Sequence, residues 1–366
     1  MTYARARMWA GISAILFWSV LIVVFLWLGL NTKTFTRQPL QDWVWLLLLS
    51  GGHLLLSLPF DWLGGVYLPN RYQQYRNIET GWWKRWARAA VVQAFFYLLF
   101  GLWLLTLGRY LGPVGTIGGM ALVMLLLVGL QVWVARATVS WESFFDNHKG
   151  KLVIYLVNND PGFTGGISGI PGMEVFIVPD MWRQSMSEKM LKVIQGRRHG
   201  ALQTLAHAKG FLLAFVWTLL SFAVAVLLVP GGTGTGPGLV MTVALFSVIS
   251  FAGSTILLSW FNRRAVWEID RWVFYRGGDA DVIRQSFEFT TVKEEQLDLP
   301  RWQESLVAMP GPASRAEHMA RQKNQKGAWN ARHQSVFMAW AGLSLFSRAL
   351  PAVLGKPERW VFLPGD

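Results

Sequence analysis

Residues 187–207 read SEKMLKVIQGRRHGALQTLAH. Leu191, Ile194, Leu202 and Leu205 recur at roughly helical spacing, which predicts one long helix over this stretch. A short β-like run, Val175-Phe176-Ile177-Val178, precedes it, and an apolar segment long enough to cross a bilayer follows it. Strand, charged helix and membrane span in that order predict a small α/β element built onto a membrane bundle.

Composition agrees. The chain has 366 residues, of which 53% are hydrophobic, and several apolar runs approach the ~20 residues that a spanning helix needs. Lys and Arg outnumber Asp and Glu, 34 against 21. In a soluble chain that excess suggests nucleic acid, but in a membrane protein it marks loops held on the cytoplasmic side, so no nucleic-acid partner is expected. There is no cysteine, which excludes disulfides and thiolate metal ligands. The 21 tryptophans suit anchoring at the headgroups.

Six spans are predicted, over 8–30, 43–63, 89–111, 114–136, 211–229 and 239–261. The first follows Arg5 and Arg7 as a signal sequence would, but it is too long for one and reads as a retained anchor. His53 lies inside the second span, either as a polar pathway residue or as a group satisfied within the bundle. The third and fourth are joined by a Gly-Pro turn and form an antiparallel hairpin. Between spans two and three, Trp82-Trp83-Lys84-Arg85-Trp86 reads as an interfacial belt. Residues 231–238, GGTGTGPG, lack the Lys-Ser/Thr ending of a phosphate loop and read as a plain turn.

The organisation follows: an N-terminal membrane domain over 1–136, a soluble insert over 137–209, a two-span hairpin over 210–261, a charged helical part over 262–335, and an apolar interfacial tail over 336–366. Strands are expected at 152–157 and 175–178, with a glycine-rich loop over 158–172. The stretch 336–354, interrupted by Arg348 and Pro351, reads as a surface-lying or packed helix and not as a seventh span. Six spans put both termini, the 66–88 loop and the insert on one face, and most Lys and Arg fall there, so that face is read as cytoplasmic. The fold class is mainly α, a polytopic membrane protein with a small α/β domain.

The order of local signals resembles the type I CAAX prenyl endopeptidases and their HtpX-type bacterial relatives, which are membrane-embedded gluzincin zinc peptidases. Leu58-Pro59-Phe60, Asn70-Arg71-Tyr72 and Gly81 resemble that family's N-terminal membrane domain. Val153-Ile154-Tyr155-Leu156 and the glycine-rich loop resemble the strand and turn before its active-site helix. Residues 175–182 with Ser187-Glu188 resemble its edge strand and helix start. Asn262-Arg263-Arg264 through Asp270 resembles its R-x-x-E-x-x-A-D helix, and Met309-Pro310-Gly311-Pro312 with Arg315 resembles its H-P-P-x-x-x-R segment. Together these cover roughly residues 50–320 and imply a bacterial inner-membrane protein with cytoplasmic termini.

The departures fall on the chemistry. A gluzincin needs two His one turn apart, a Glu beside the first as general base, and a third-ligand Glu on a second helix. Under the alignment that this resemblance suggests, the two His slots are Gly196 and Gly200, the general-base slot is Arg197 and the third-ligand slot is Val266. Only Asp270, the family's supporting carboxylate, remains. The family's zinc is therefore not expected and no cofactor is assigned. His199 and His207 are eight apart, about 80° of rotation, and share no helix face well. A guanidinium from Arg197 or Arg198 paired with Asp270 or Glu268 is an alternative tie between the two helices, and Arg197, Arg198, His199, Glu268 and Asp270 form the candidate pocket. The expected function is a non-catalytic family member binding peptide, lipidated protein or lipid. An active metallopeptidase with an unusual ligand set is the alternative, and a transporter component is a third reading.

Overall fold

In the computed structural model the described residues are 2–31, 41–73, 79–138, 142–148, 150–157, 160, 162–293, 309–320 and 325–363. Arg76, Pro300 and part of the 158–172 loop lie outside them. Among the described residues, five helices are long and apolar enough to cross a membrane: Tyr3–Leu28, Asp42–Arg71, Gly81–Gly129, Ala206–Leu228 and Gly236–Tyr275. The chain is thus built as a mainly helical polytopic membrane protein with a small sheet.

The first helix, α1 (Tyr3–Asn31), and the second, α2 (Asp42–Trp62), are apolar through their middles. α2 runs on through a π-helical turn, Leu63–Tyr67, to Arg71. Gly64 and Gly65 in that turn have a packing reason. A Cβ on Gly64 would lie 2.5 Å from the Leu354 carbonyl oxygen, and one on Gly65 2.2 Å from that of Gly355.

α3 (Glu79–Gly129) is continuous in hydrogen bonding but reverses at Gly112, whose φ of 64° and ψ of −160° only glycine adopts readily, just before Pro113. Its two arms are antiparallel. Arg88, near the start, donates from Nε to the Ala137 carbonyl at 2.6 Å, and a Cβ on Gly119 would touch Leu107. α4 (Gln131–Thr138) completes the second arm. The fifth and sixth apolar segments are α7 (Ala206–Leu228) and α8 (Gly236–Gly253), joined by the glycine turn. α8 continues through a second π turn into α9 (Ser259–Tyr275), so the charged helix grows directly out of the last span.

The insert forms a four-stranded sheet in the order β1-β2-β4-β3, from β1 (Ser143–His148), β2 (Lys151–Leu156), β3 (Gly166–Ser168) and β4 (Val175–Pro179). β2 and β4 pair in parallel, Val153 with Phe176 through Leu156 with Pro179. One expectation changes here. The 175–178 strand is not an edge, because β3 pairs antiparallel along its outer side. β3 lay within the glycine-rich loop, and its three residues carry no alternating pattern to reveal it.

The tail departs furthest from the sequence reading. Residues 336–363 do not lie at the interface but fill the interior of the bundle, following α12 (Ala331–Met338), which packs on α7. Trp340 and Trp360 are fully buried. The polar atoms of the tail find partners on the surrounding helices. Tyr97 Oη donates to the Ser344 carbonyl at 2.6 Å, Trp82 Nε1 to that of Gly355 at 2.8 Å, and Arg7 to those of Pro351 and Leu354. Trp82, expected at the interface, is accordingly buried. The charges that argued against burial are paired: Arg348 with Asp61 at 2.9 Å, Glu358 with Arg85 at 2.7 Å, and Arg359 and Lys356 with Asp160.

Two outcomes follow. Asp61→Ala leaves the buried Arg348 without its carboxylate and should cost about 3–5 kcal/mol, whereas Asp61→Asn combined with Arg348→Met should cost less than either change alone. Thermal unfolding in detergent reads both. The second concerns acid. Burial alone raises the Asp160 carboxyl, but Arg359 and Lys356 outweigh it and hold the group well below the usual carboxylate range. A depressed folded value stabilises fully above the ordinary carboxylate pKa of ~3.9 and is lost as pH falls through the folded value. Wild type should therefore be more stable than Asp160→Asn at neutral pH, and the gap should start to narrow below about pH 4 and close only as pH reaches the depressed folded value.

Candidate functional site

After a short helix, α5 (Asp180–Ser185), the motif helix, α6 (Glu188–Gln203), starts where Ser187 Oγ accepts a hydrogen bond from the Met190 amide at 3.3 Å. It is shorter than the 187–207 reading. Leu205 takes a left-handed conformation, φ 58°, which ends one helix and opens α7, so His207 belongs to the next element and is buried there rather than interfacial.

The inward face of α6 carries Ile194, Arg197, Arg198 and Ala201, spaced i, i+3, i+4 and i+7. Gly196 and Gly200 face α9, where an added Cβ would meet Val273 and Trp272 respectively, and Gly200 is itself buried. Arg197 and Ala201, one turn apart, are buried as well, with Arg198 next to the first. On the facing helix α9 the inward residues are Val266, Ile269, Asp270 and Val273, and Ala201 and Val266 share one apolar cluster.

Asp270 binds two arginines between these helices. Arg197 Nε donates to Oδ1 at 2.8 Å. Arg315, on α11 (Pro312–Ala320), grips both oxygens, Nε to Oδ2 at 2.7 Å and Nη2 to Oδ1 at 2.8 Å. The guanidinium of Arg315 also lies over the Phe287 ring, 3.6 Å from its centre, on α10 (Ala280–Lys293). All three charged side chains are nearly or fully sealed from solvent, at 2%, 0% and 0% for Arg197, Asp270 and Arg315. One carboxylate thus joins three helices, α6, α9 and α11.

Arg198 works on the other side. Its Nη1 donates to the Ile177 carbonyl at 2.6 Å and its Nη2 to that of Thr164 at 2.8 Å, which fixes the helix to β4 and to the glycine-rich loop. Of the candidate pocket, then, Arg197 and Asp270 meet and Arg198 sits beside them on the sheet. His199 points toward the Trp272 ring, and Glu268 turns away to accept the Gly327 amide at 3.1 Å. Arg315 completes the cluster and was not among the candidates. The Pro310-Gly311-Pro312 signal beside it was visible, but nothing local tied it to Asp270, 45 residues away.

Chemically the cluster is a closed electrostatic clamp. Arginine cannot lend a lone pair to a metal or accept a proton at neutral pH. Gly196, Gly200, Ala201 and Val266 offer no side-chain donor. The residues present do not fit a zinc ion, and among the described residues no three His, Asp, Glu or Cys side chains gather as a metal site. A scan of protein-family models finds no match to the chain, and a search of curated proteins finds none.

Asp270→Ala should destabilise by about 3–5 kcal/mol, since it strands two buried cations. Asp270→Ala with Arg197→Ala should cost less than the sum of the single changes, by roughly 0.5–3 kcal/mol of coupling. Additive losses in thermal unfolding would show that the clamp is not a unit.

Proposed function

We propose that this chain is a non-catalytic integral membrane protein on a peptidase-type scaffold of the CAAX prenyl endopeptidase and HtpX kind, which holds a lipid or a lipid-linked partner without cleaving it. The observation that carries the reading is the Arg197–Asp270–Arg315 clamp, seated between the two helices where such a scaffold keeps its metal. Under the alignment that the resemblance suggests, Gly196, Arg197, Gly200 and Val266 stand at the ligand and base positions, and none of them can ligate a metal. In place of a dication braced by a carboxylate there are guanidiniums braced by the same carboxylate. The tail argues in the same direction, since it fills the interior that a proteolytic chamber would need open.

The covered strand narrows the ligand. Extended peptides bind such scaffolds by adding to a free strand edge. Here β3 already pairs along that edge of β4, and Ser168 on β3 is hydrogen-bonded to Gln131 of the membrane domain. That favours lipid or a lipid chain over an extended peptide. The kink of α3 at Gly112 supports counting it as two crossings; with six crossings the positive-inside rule favours a bacterial inner membrane with the termini and the basic loops on its cytoplasmic face.

The test is elemental analysis of protein purified without chelators and with zinc supplied, together with a protease assay. The reading expects no stoichiometric metal and no cleavage. Stoichiometric zinc that is lost in a His199→Ala/His207→Ala variant would overturn it. For topology, an introduced thiol at Gly150→Cys should react only from the cytoplasmic side and one at Gly231→Cys only from the opposite side.

A further inference from the structure

The outer half of the membrane bundle holds a groove of about 220 Å³ between α1 and α2. Trp18 and Phe25 form one wall, Trp45 and Gly52 the other, and Ala244 with Leu345 of the tail closes the floor. Its surface is almost wholly apolar, and its rim includes Leu21 and Leu48, which are exposed on membrane-facing helices. The groove is therefore continuous with the surface that the bilayer covers. From Trp45 to Leu56 it follows α2 for eleven residues, about 16 Å at the α-helical rise. That is about half of the ~30 Å hydrocarbon core, the depth of a single leaflet.

The charges at its outer end select the occupant. One turn before Trp45, Asp42 pairs with Arg109, and both are partly exposed, with side-chain accessibilities of 29% and 49%. Asp42 Oδ1 also accepts the Gly236 amide at 2.7 Å, and an added Cβ on Gly236 would touch both Asp42 and Trp45, so the pair lies one helical turn beyond Trp45, which lines the groove. Arg109 engages Asp42 through Nη2 and carries further N–H donors that suit a phosphate. The Asp42 carboxylate suits an ammonium. Cation and anion side by side at a headgroup level, above an apolar slot one leaflet deep, complement a zwitterionic phospholipid.

We propose that the groove is a binding site for one acyl chain of a phosphatidylethanolamine-type lipid from the leaflet opposite the N-terminus, with its phosphate on Arg109 and its ammonium on Asp42. It rests on the lipid-binding half of the reading above and on none of the peptidase resemblance, so metal content and groove occupancy fail separately.

The experiment uses the full chain in nanodiscs of phosphatidylethanolamine and phosphatidylglycerol, doped with a phosphatidylethanolamine bearing a photoactivatable group near the end of one acyl chain. Crosslinked residues are located by peptide mass spectrometry. The site predicts labelling at Trp18, Leu49 and Leu56 about tenfold above that at the outward-facing Leu122 and Leu126. Gly52→Trp should abolish the excess. A Cβ at Gly52 meets nothing within 4 Å, so this substitution fills space rather than displacing packing. Leu56→Trp is a second filling variant at the inner end, and unchanged melting temperatures keep both interpretable. Arg109→Gln should lower groove labelling while leaving Leu122 and Leu126 unaltered. Even labelling of all lipid-facing residues, or groove labelling that survives both filling variants, would overturn the site. Equal groove labelling by a phosphatidylglycerol probe would overturn the headgroup assignment.

Discussion

The bidentate hold of Arg315 on Asp270, with Arg197 on the same carboxylate, is the constraint that the soluble part of this protein depends on. Three helices converge there, and none of the three charged groups reaches solvent. Such a cluster adds little net stability compared with well-packed apolar residues, because desolvating ions is costly. Its value is directional. A guanidinium meets a carboxylate in one plane and one spacing, so α6, α9 and α11 are fixed in register as a metal centre would fix them, by geometry and charge. Arg198 extends the same control to the sheet through two carbonyls. α6 is thereby held from both sides.

The membrane bundle shows the same device on a larger scale. Its interior is filled by the chain's own C-terminal segment, and each charge on that segment meets a partner: Arg348 with Asp61, Arg359 and Lys356 with Asp160, and Glu358 with Arg85. Buried ionisable groups in membrane proteins commonly mark transport paths. Here the pairs tie one chain end to α2, α3 and the insert. The space left open to the bilayer lies between α1 and α2, at the side of the packed interior.

Much of this was legible in the sequence. Long apolar runs announce spanning helices because crossing hydrocarbon demands internally satisfied backbone, and the Gly112-Pro113 reversal is written in residue type. The strands at 152–157 and 175–178 were visible from β-branched runs. Three features were not. β3 is too short and glycine-rich to show a period. Which residues of α6 meet the neighbouring elements is not visible in its weak apolar period, whereas burial picks out Arg197, Arg198, Gly200 and Ala201. The tail reads as interfacial because Arg348 and Pro351 interrupt its apolar run, and Arg348 looks incompatible with burial until its partner Asp61, 287 residues earlier, is known. Long-range ion pairing is the information that local pattern does not contain, and for the same reason Arg315, visible in the 309–315 signal, shows no tie to Asp270 in the sequence.

The most direct measurement is to rebuild the absent metal set on the inward stripe. A variant carrying Arg197→His, Arg198→Glu, Ala201→His and Val266→Glu would present two His one turn apart, a neighbouring Glu and a third carboxylate from α9, with Asp270 behind them. If the clamp occupies a metal centre's place, this variant should bind zinc stoichiometrically by elemental analysis and gain thermal stability with zinc, while the wild type does neither. A variant that keeps the wild-type fold by circular dichroism yet takes up no zinc would contradict the account, as would stoichiometric zinc in the wild type.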